Sequence, residues 1–139
     1  MTFAGINYLA VLVAAAAGWV AGAVWYMALA KPWMAATGTT REQIEASRSQ
    51  RGAWLPFVFA FAACVVMAWV LAGLMGHLGR VTVRSGVISG AFCWLGFVIT
   101  TMVVNNGFAG RDARLLLIDG GHWLIVLLLM GAIIVGMGP

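Results

Sequence analysis

The chain has 139 residues, 63% of them hydrophobic and 9% charged, with a formal net charge of +4. A soluble globular domain carries about a quarter charged residues, so this composition excludes that class and describes a single membrane domain. The lysines and arginines fall between the apolar stretches, which points to loop orientation and anionic headgroups and away from nucleic acid.

Four apolar runs, near 4–29, 54–76, 85–108 and 115–137, each approach the roughly 20 residues that cross a bilayer. The expected fold is all-α: a polytopic membrane protein with four transmembrane helices in an antiparallel bundle and a short surface helix near 40–50. A barrel is disfavoured, because its strands would be short and alternating.

The first run has no lysine or arginine ahead of it and is too long for a signal peptide, so it reads as a retained helix. Gly18 and Gly22 form a small-xxx-small pair that lets another helix approach closely. Trp25, Tyr26 and Trp33 fit an interfacial aromatic belt; the sharper alternative puts the Tyr26 hydroxyl inside the bundle as a donor. Lys31 ends the run and Pro32 stops it. The following hydrophilic segment, 38–52, carries a capping-box pattern at Thr39 and Glu42. Arg41, Glu45 and Arg48 stand one turn apart there. It reads as a solvated or headgroup-facing helix.

In the second run Pro56 sits in the first turn, where a missing N–H costs little. Cys64 here and Cys93 in the third run read as small buried hydrophobes rather than a disulfide or metal pair. His77 follows the second run and reads as a solvated interface residue. The third run opens with a second glycine pair, Gly86 and Gly90. Trp94, Phe97, Thr101 and Asn105 then follow at helical steps as one stripe. Thr101 can bond its own helix carbonyls; Asn105 and Asn106 have no such outlet. A charged turn of Arg111, Asp112 and Arg114 leads to the fourth run, where Asp119 and His122 share a helix face. Ionisable groups at membrane depth are costly, and are usually partnered or functional.

Four spans put both termini on one side. The first and third loops hold Lys31, Arg41, Arg48, Arg51, Arg111 and Arg114, and the second holds Arg80 and Arg84. Positive residues stay inside, so the first and third loops are expected in the cytoplasm and both termini outside. Tyr26, Lys31, Thr101, Asn105, Asp119 and His122 then lie in one layer. Asp119 and His122 come roughly 7 and 12 Å into the fourth helix at 1.5 Å per residue.

Several motifs occur in order: Asn7-Tyr8-Leu9-Ala10, Gly22, Trp25-Tyr26, Lys31-Pro32-Trp33, Gly96-Phe97, Thr100-Thr101, Asn105, Gly110-Arg111, Leu117-Ile118-Asp119 and Met130-Gly131-Ala132-Ile133. Over nearly the whole chain this set resembles an uncharacterised bacterial family of small four-helix membrane proteins, a domain-of-unknown-function family. The resemblance implies a four-helix inner-membrane fold and no activity. Where that family tends to place an aromatic soon after the aspartate, this chain has Gly120 and Gly121 before His122.

Three functions fit. The first is a non-catalytic membrane partner, an accessory or lipid-binding subunit, with Asp119 tethered by Lys31 or Arg114 and favoured by its early place in the helix. The alternative is a proton- or cation-coupled transporter. Asp119 would be its acceptor and His122 a titratable neighbour, with Tyr26, Thr101 and Asn105 as hydrogen-bond ligands. The third is an intramembrane enzyme, which lacks any GxSxG, CxxC or HExxH motif. Two ligands are too few for zinc, and no cofactor is expected. Expected partners are the lipid bilayer and a second copy or larger membrane complex. What touches Asp119 separates the first two readings: a basic side chain favours a tether, a water-filled or occupied pocket favours a site.

Overall fold

The computed structural model describes residues 5–79 and 82–138. Position 4, the expected start of the first run, and Arg80 in the second loop lie outside them. Six helices account for the described chain. Four are long and apolar, and pack together: α1 (Tyr8–Ala28), α4 (Leu55–His77), α5 (Val83–Phe108) and α6 (Ala113–Met137). Two short ones, α2 (Ala30–Thr37) and α3 (Arg41–Arg48), lie between α1 and α4. All four long helices are long and apolar enough to cross a membrane, which suggests a multi-pass membrane protein. Their outer surface fits that setting: Phe57, Phe59, Phe97 and Phe108 all point outward, as bilayer-facing side chains do and water-facing ones rarely do in such numbers.

The start of α1 is fixed by Asn7, whose side-chain oxygen accepts the Ala10 N–H at 3.1 Å. The Asn7 amide also donates to the Met137 carbonyl at 3.3 Å, so the two ends of the chain meet on one face of the bundle. The other end of α1 departs from the sequence reading. Pro32 does not stop the helix. The chain breaks at Leu29 (φ −104, ψ 20) and resumes at once as α2. Pro32 is the third residue of α2, a position whose N–H has no partner within that helix. Its missing N–H and its ring are felt four residues back at Ala28, which is where the kink falls. The next cap also moves by one. Thr40, not Thr39, closes the capping box, with Gln43 in place of Glu42. Among the described residues the Arg41–Glu45 and Glu45–Arg48 ion pairs do not close.

Helix α6 is the hub and packs on α1, α4 and α5. The apolar core is built by α1, α4 and α6, from Val11, Ala14, Ala68, Met75, Met130, Ile134 and their neighbours. These residues sit in the half of the bundle nearer the chain ends. In the other half α4 contributes nothing buried: residues 55–63 are exposed throughout. Trp19 ties that part of α4 to α1, its indole donating to the Phe57 carbonyl at 3.0 Å and its ring standing edge-on to Phe61 at 6.1 Å. Helix α5 meets α6 backbone to backbone. A Cβ on Gly86 would run into the Gly131 carbonyl, and one on Gly90 into the Leu127 carbonyl. This is the close approach that small residues permit between membrane helices.

The N-cap of α6 is Asp112, whose carboxylate accepts the Arg114 N–H at 2.8 Å and the Arg114 guanidinium at 2.7 Å. Both bonds favour the charged form, and they hold the carboxyl down at about 2 from its ordinary 3.8. A lowered native pKa means the contribution is complete above the ordinary value and fades as pH falls through about 2. Thermal melts of the native protein and Asp112→Asn are therefore expected to differ at about pH 5 and to converge near pH 2. A gap that stays constant across that range would place the effect of Asp112 elsewhere.

Candidate functional site

The half of the bundle in which α4 buries nothing holds the site's polar groups. Three consecutive residues of α6 are gripped by aromatic donors from two helices. From α1, the Trp25 indole donates to the Ile118 carbonyl at 2.9 Å and the Tyr26 hydroxyl donates to Asp119 Oδ1 at 2.6 Å. From α5, the Trp94 indole donates to the Gly120 carbonyl at 2.8 Å. The tyrosine bond has the short length of a hydroxyl donating to a carboxylate. Gly120 and Gly121 make room for this grip. A Cβ on Gly120 would stand 2.8 Å from Ile99 Cδ1, and one on Gly121 would stand 2.9 Å from Trp25 Cζ2.

His122 lies one turn on from Asp119 and is buried. Its ring stands 5.0 Å from that of Tyr26 and 4.5 Å from that of Trp123. A Cβ on Gly22 would be 2.6 Å from His122 Nε2, so Gly22 is the notch that receives the imidazole. Nδ1 is buried without a hydrogen-bond partner among the described residues. The histidine thus backs the tyrosine; among the described residues no hydrogen bond joins it to the carboxylate.

Asp119 opens onto a half-open cavity of about 430 Å³, lined by Tyr26, Met102, Asn105, Asn106, Arg111, Asp119 and Trp123. Four of these come from α1 and α5, which flank α6 and leave the carboxylate in the groove between them. Thr101 and Lys31 stand outside it. The Thr101 hydroxyl donates back to the Phe97 and Val98 carbonyls, each at 2.8 Å, and Lys31 is exposed.

The expected stripe of Trp94, Phe97, Thr101 and Asn105 fails for a local reason. Residues 94–99 form a π-turn inside α5. One inserted residue moves every later position round the helix by one. The inward face after Trp94 is accordingly Val98, Met102 and Asn106, while Phe97 is 76% exposed. Asn105 remains at the cavity rim, and Asn106 joins it with its amide nitrogen buried and unpartnered among the described residues. Such π-turns recur at functional sites.

Sequence reasoning did not place Asn106, Arg111, Met102 and Trp123 at the site, nor the Trp25 and Trp94 grips. Gly120-Gly121 was the available signal for the grips, since two adjacent small residues on a membrane helix invite close approach by a neighbour. Gly18 and Gly22 face α6, against Met130 and His122 respectively, and Gly86 and Gly90 face its later turns. Both glycine pairs serve packing within this one bundle.

No group of three or more metal-ligating side chains occurs among the described residues. No curated protein and no solved structure matches the chain. The match to the family described as Protein of unknown function (DUF1761) covers residues 9–135, and the chain belongs to that family.

Proposed function

We propose that the protein binds a small cation at Asp119 and passes it through the membrane, as a solute-binding or transport protein rather than an enzyme. One observation carries this reading: Asp119 is answered by a tyrosine and a cavity, with no basic tether. Its Oδ1 accepts from Tyr26, and no ion pair to it closes among the described residues. Of the two tethers considered, Arg114 is taken by Asp112 and Lys31 is exposed. A carboxylate at this depth, left open to a polar groove, fits a group that loads and releases a cation or proton.

The test uses ethanolamine as the cationic probe on purified protein in detergent. Saturable binding is expected, with Asp119→Asn weakening it by about tenfold or more, the scale of one lost charge-assisted contact. Undiminished binding by Asp119→Asn would sink the proposal.

Its setting is proposed as a bacterial inner membrane, as the resemblance implies, with the first and third loops in the cytoplasm. Support comes from the six basic residues in those loops against two in the second. Single cysteines introduced at Ser47 and at Leu78, in a background without Cys64 and Cys93, test this. A membrane-impermeant thiol reagent added to intact cells should label position 78 and spare 47. The reverse pattern inverts the topology.

A further inference from the structure

The cavity contains an acid and a base that do not neutralise each other. Among the described residues the Asp119 side chain takes its single hydrogen bond from Tyr26. Arg111, an exposed residue, lines the same cavity, and its side chain has no hydrogen-bond or ion-pair partner among the described residues. No ion pair closes between the two side chains among the described residues, and each is carried by a separately anchored stretch of backbone. Asp119 is fixed on α6 by the grip of Trp25, Tyr26 and Trp94. Arg111 is fixed in the α5–α6 turn, where its N–H donates to the Asn106 carbonyl at 3.0 Å. Gly110 makes that turn with φ 61, a conformation side chains other than glycine rarely adopt. The third unanswered group is the Asn106 amide nitrogen, a buried donor on a residue that lines the same cavity. Buried donors without acceptors are uncommon and call for a reason.

We propose that the cavity takes a small zwitterion, with a primary ammonium at Asp119 and an oxyanion, carboxylate or phosphate, at Arg111 and the Asn106 amide. The proposal rests on the cation-site reading and names its substrate class. A simple cation would leave Arg111 and Asn106 unanswered. A simple anion would be repelled by Asp119. A molecule carrying both charges satisfies all three groups, and Trp123, which lines the same cavity, adds an aromatic side chain of the kind that attracts an ammonium. A cavity of about 430 Å³ lies in the range of small-ligand sites and suits an amino acid or a phosphoethanolamine group. Such a group can arrive as a free solute or as the headgroup of a bilayer lipid.

Three probes separate the halves: phosphoethanolamine, ethanolamine and inorganic phosphate, measured by equilibrium binding to purified full-length protein in detergent. Phosphoethanolamine is expected to bind at least about tenfold more tightly than either half alone. Arg111→Gln should bring its affinity down to that of ethanolamine, and Arg111→Lys should restore part of the difference. Asp119→Asn should bring it down to that of phosphate. Thermal melts of each variant identify any that fails to fold, and the lysine variant then carries the Arg111 arm. If phosphoethanolamine binds no better than ethanolamine, the zwitterion proposal falls and the cation site stands. If phosphate alone binds as tightly as phosphoethanolamine, or Asp119→Asn changes nothing, both readings fall. Repeating the measurement in phosphatidylethanolamine and phosphatidylglycerol nanodiscs assigns the source. Competition by the first lipid marks a headgroup; equal binding in both marks a free solute.

Discussion

Gly86→Val is expected to destabilise the protein by about 3 kcal/mol, the upper part of the range for overpacking a close-packed contact. The reason lies in what the new side chain would strike. A Cβ at position 86 would collide with the Gly131 carbonyl and would stand 2.7 Å from Val135 Cγ2. A side-chain tip can swing aside; a carbonyl in the middle of α6 cannot. The two helices must move apart, and that loosens the whole seam from Gly86 through Gly90. Gly18→Ala makes the milder contrast. Its Cβ would meet the end of Met130, at 2.9 Å from Cε, and methionine is the most adaptable of core side chains. Gly96→Val is the control, since nothing lies within 4 Å of a Cβ there. Thermal unfolding in detergent should therefore rank Gly86→Val well below Gly18→Ala, with Gly96→Val near the native protein. Equal melting of Gly86→Val and Gly96→Val would mean that α5 and α6 do not meet backbone to backbone.

The four long apolar helices were legible because a bilayer imposes a length, and apolar runs of that length leave few alternatives. What the runs hide is rotation about each helix axis. In α5 a single extra residue in the turn 94–99 exchanges Phe97 and Thr101 for Val98 and Met102 on the inner face, and no residue type in Trp94–Ile99 announces it. The kink at Leu29 was half-legible: Pro32 marks a disturbance, but proline in the first turn of a new helix is as compatible with resumption as with a stop. Asp119 and Tyr26 stood out because a carboxyl and a hydroxyl are conspicuous among hydrocarbons. Arg111 did not. In the sequence it is one basic residue of a loop, and loops of this kind carry such residues for topology alone. Only the turn at Gly110 and the bond from Arg111 N–H to the Asn106 carbonyl put it over the same groove as Asp119. The indoles of Trp25 and Trp94 were hidden for a similar reason. Their acceptors are backbone carbonyls of another helix, which every residue possesses.

The second large effect separates a tether from a site, and it concerns the pair Tyr26 and Asp119. Asp119→Ala is expected to cost about 2 kcal/mol of stability, because it leaves the half-buried Tyr26 hydroxyl without its acceptor. Tyr26→Phe removes the other partner and should cost about as much, through a carboxylate left without its donor. Because the two groups share one bond, the double variant should cost less than the sum, with a coupling of about 1–2 kcal/mol. Asp119→Asn is the informative case. Its amide oxygen still accepts from Tyr26, so stability should fall by less than about 1 kcal/mol. The charge, however, is gone, and cation binding should be lost as completely as in Asp119→Ala. A tether predicts otherwise: binding and stability would fall together in both variants, since the charge would then be what holds the helices. Melting temperature and probe affinity measured on the native protein and these four variants decide between the two, and parallel losses would remove Asp119 from the binding site.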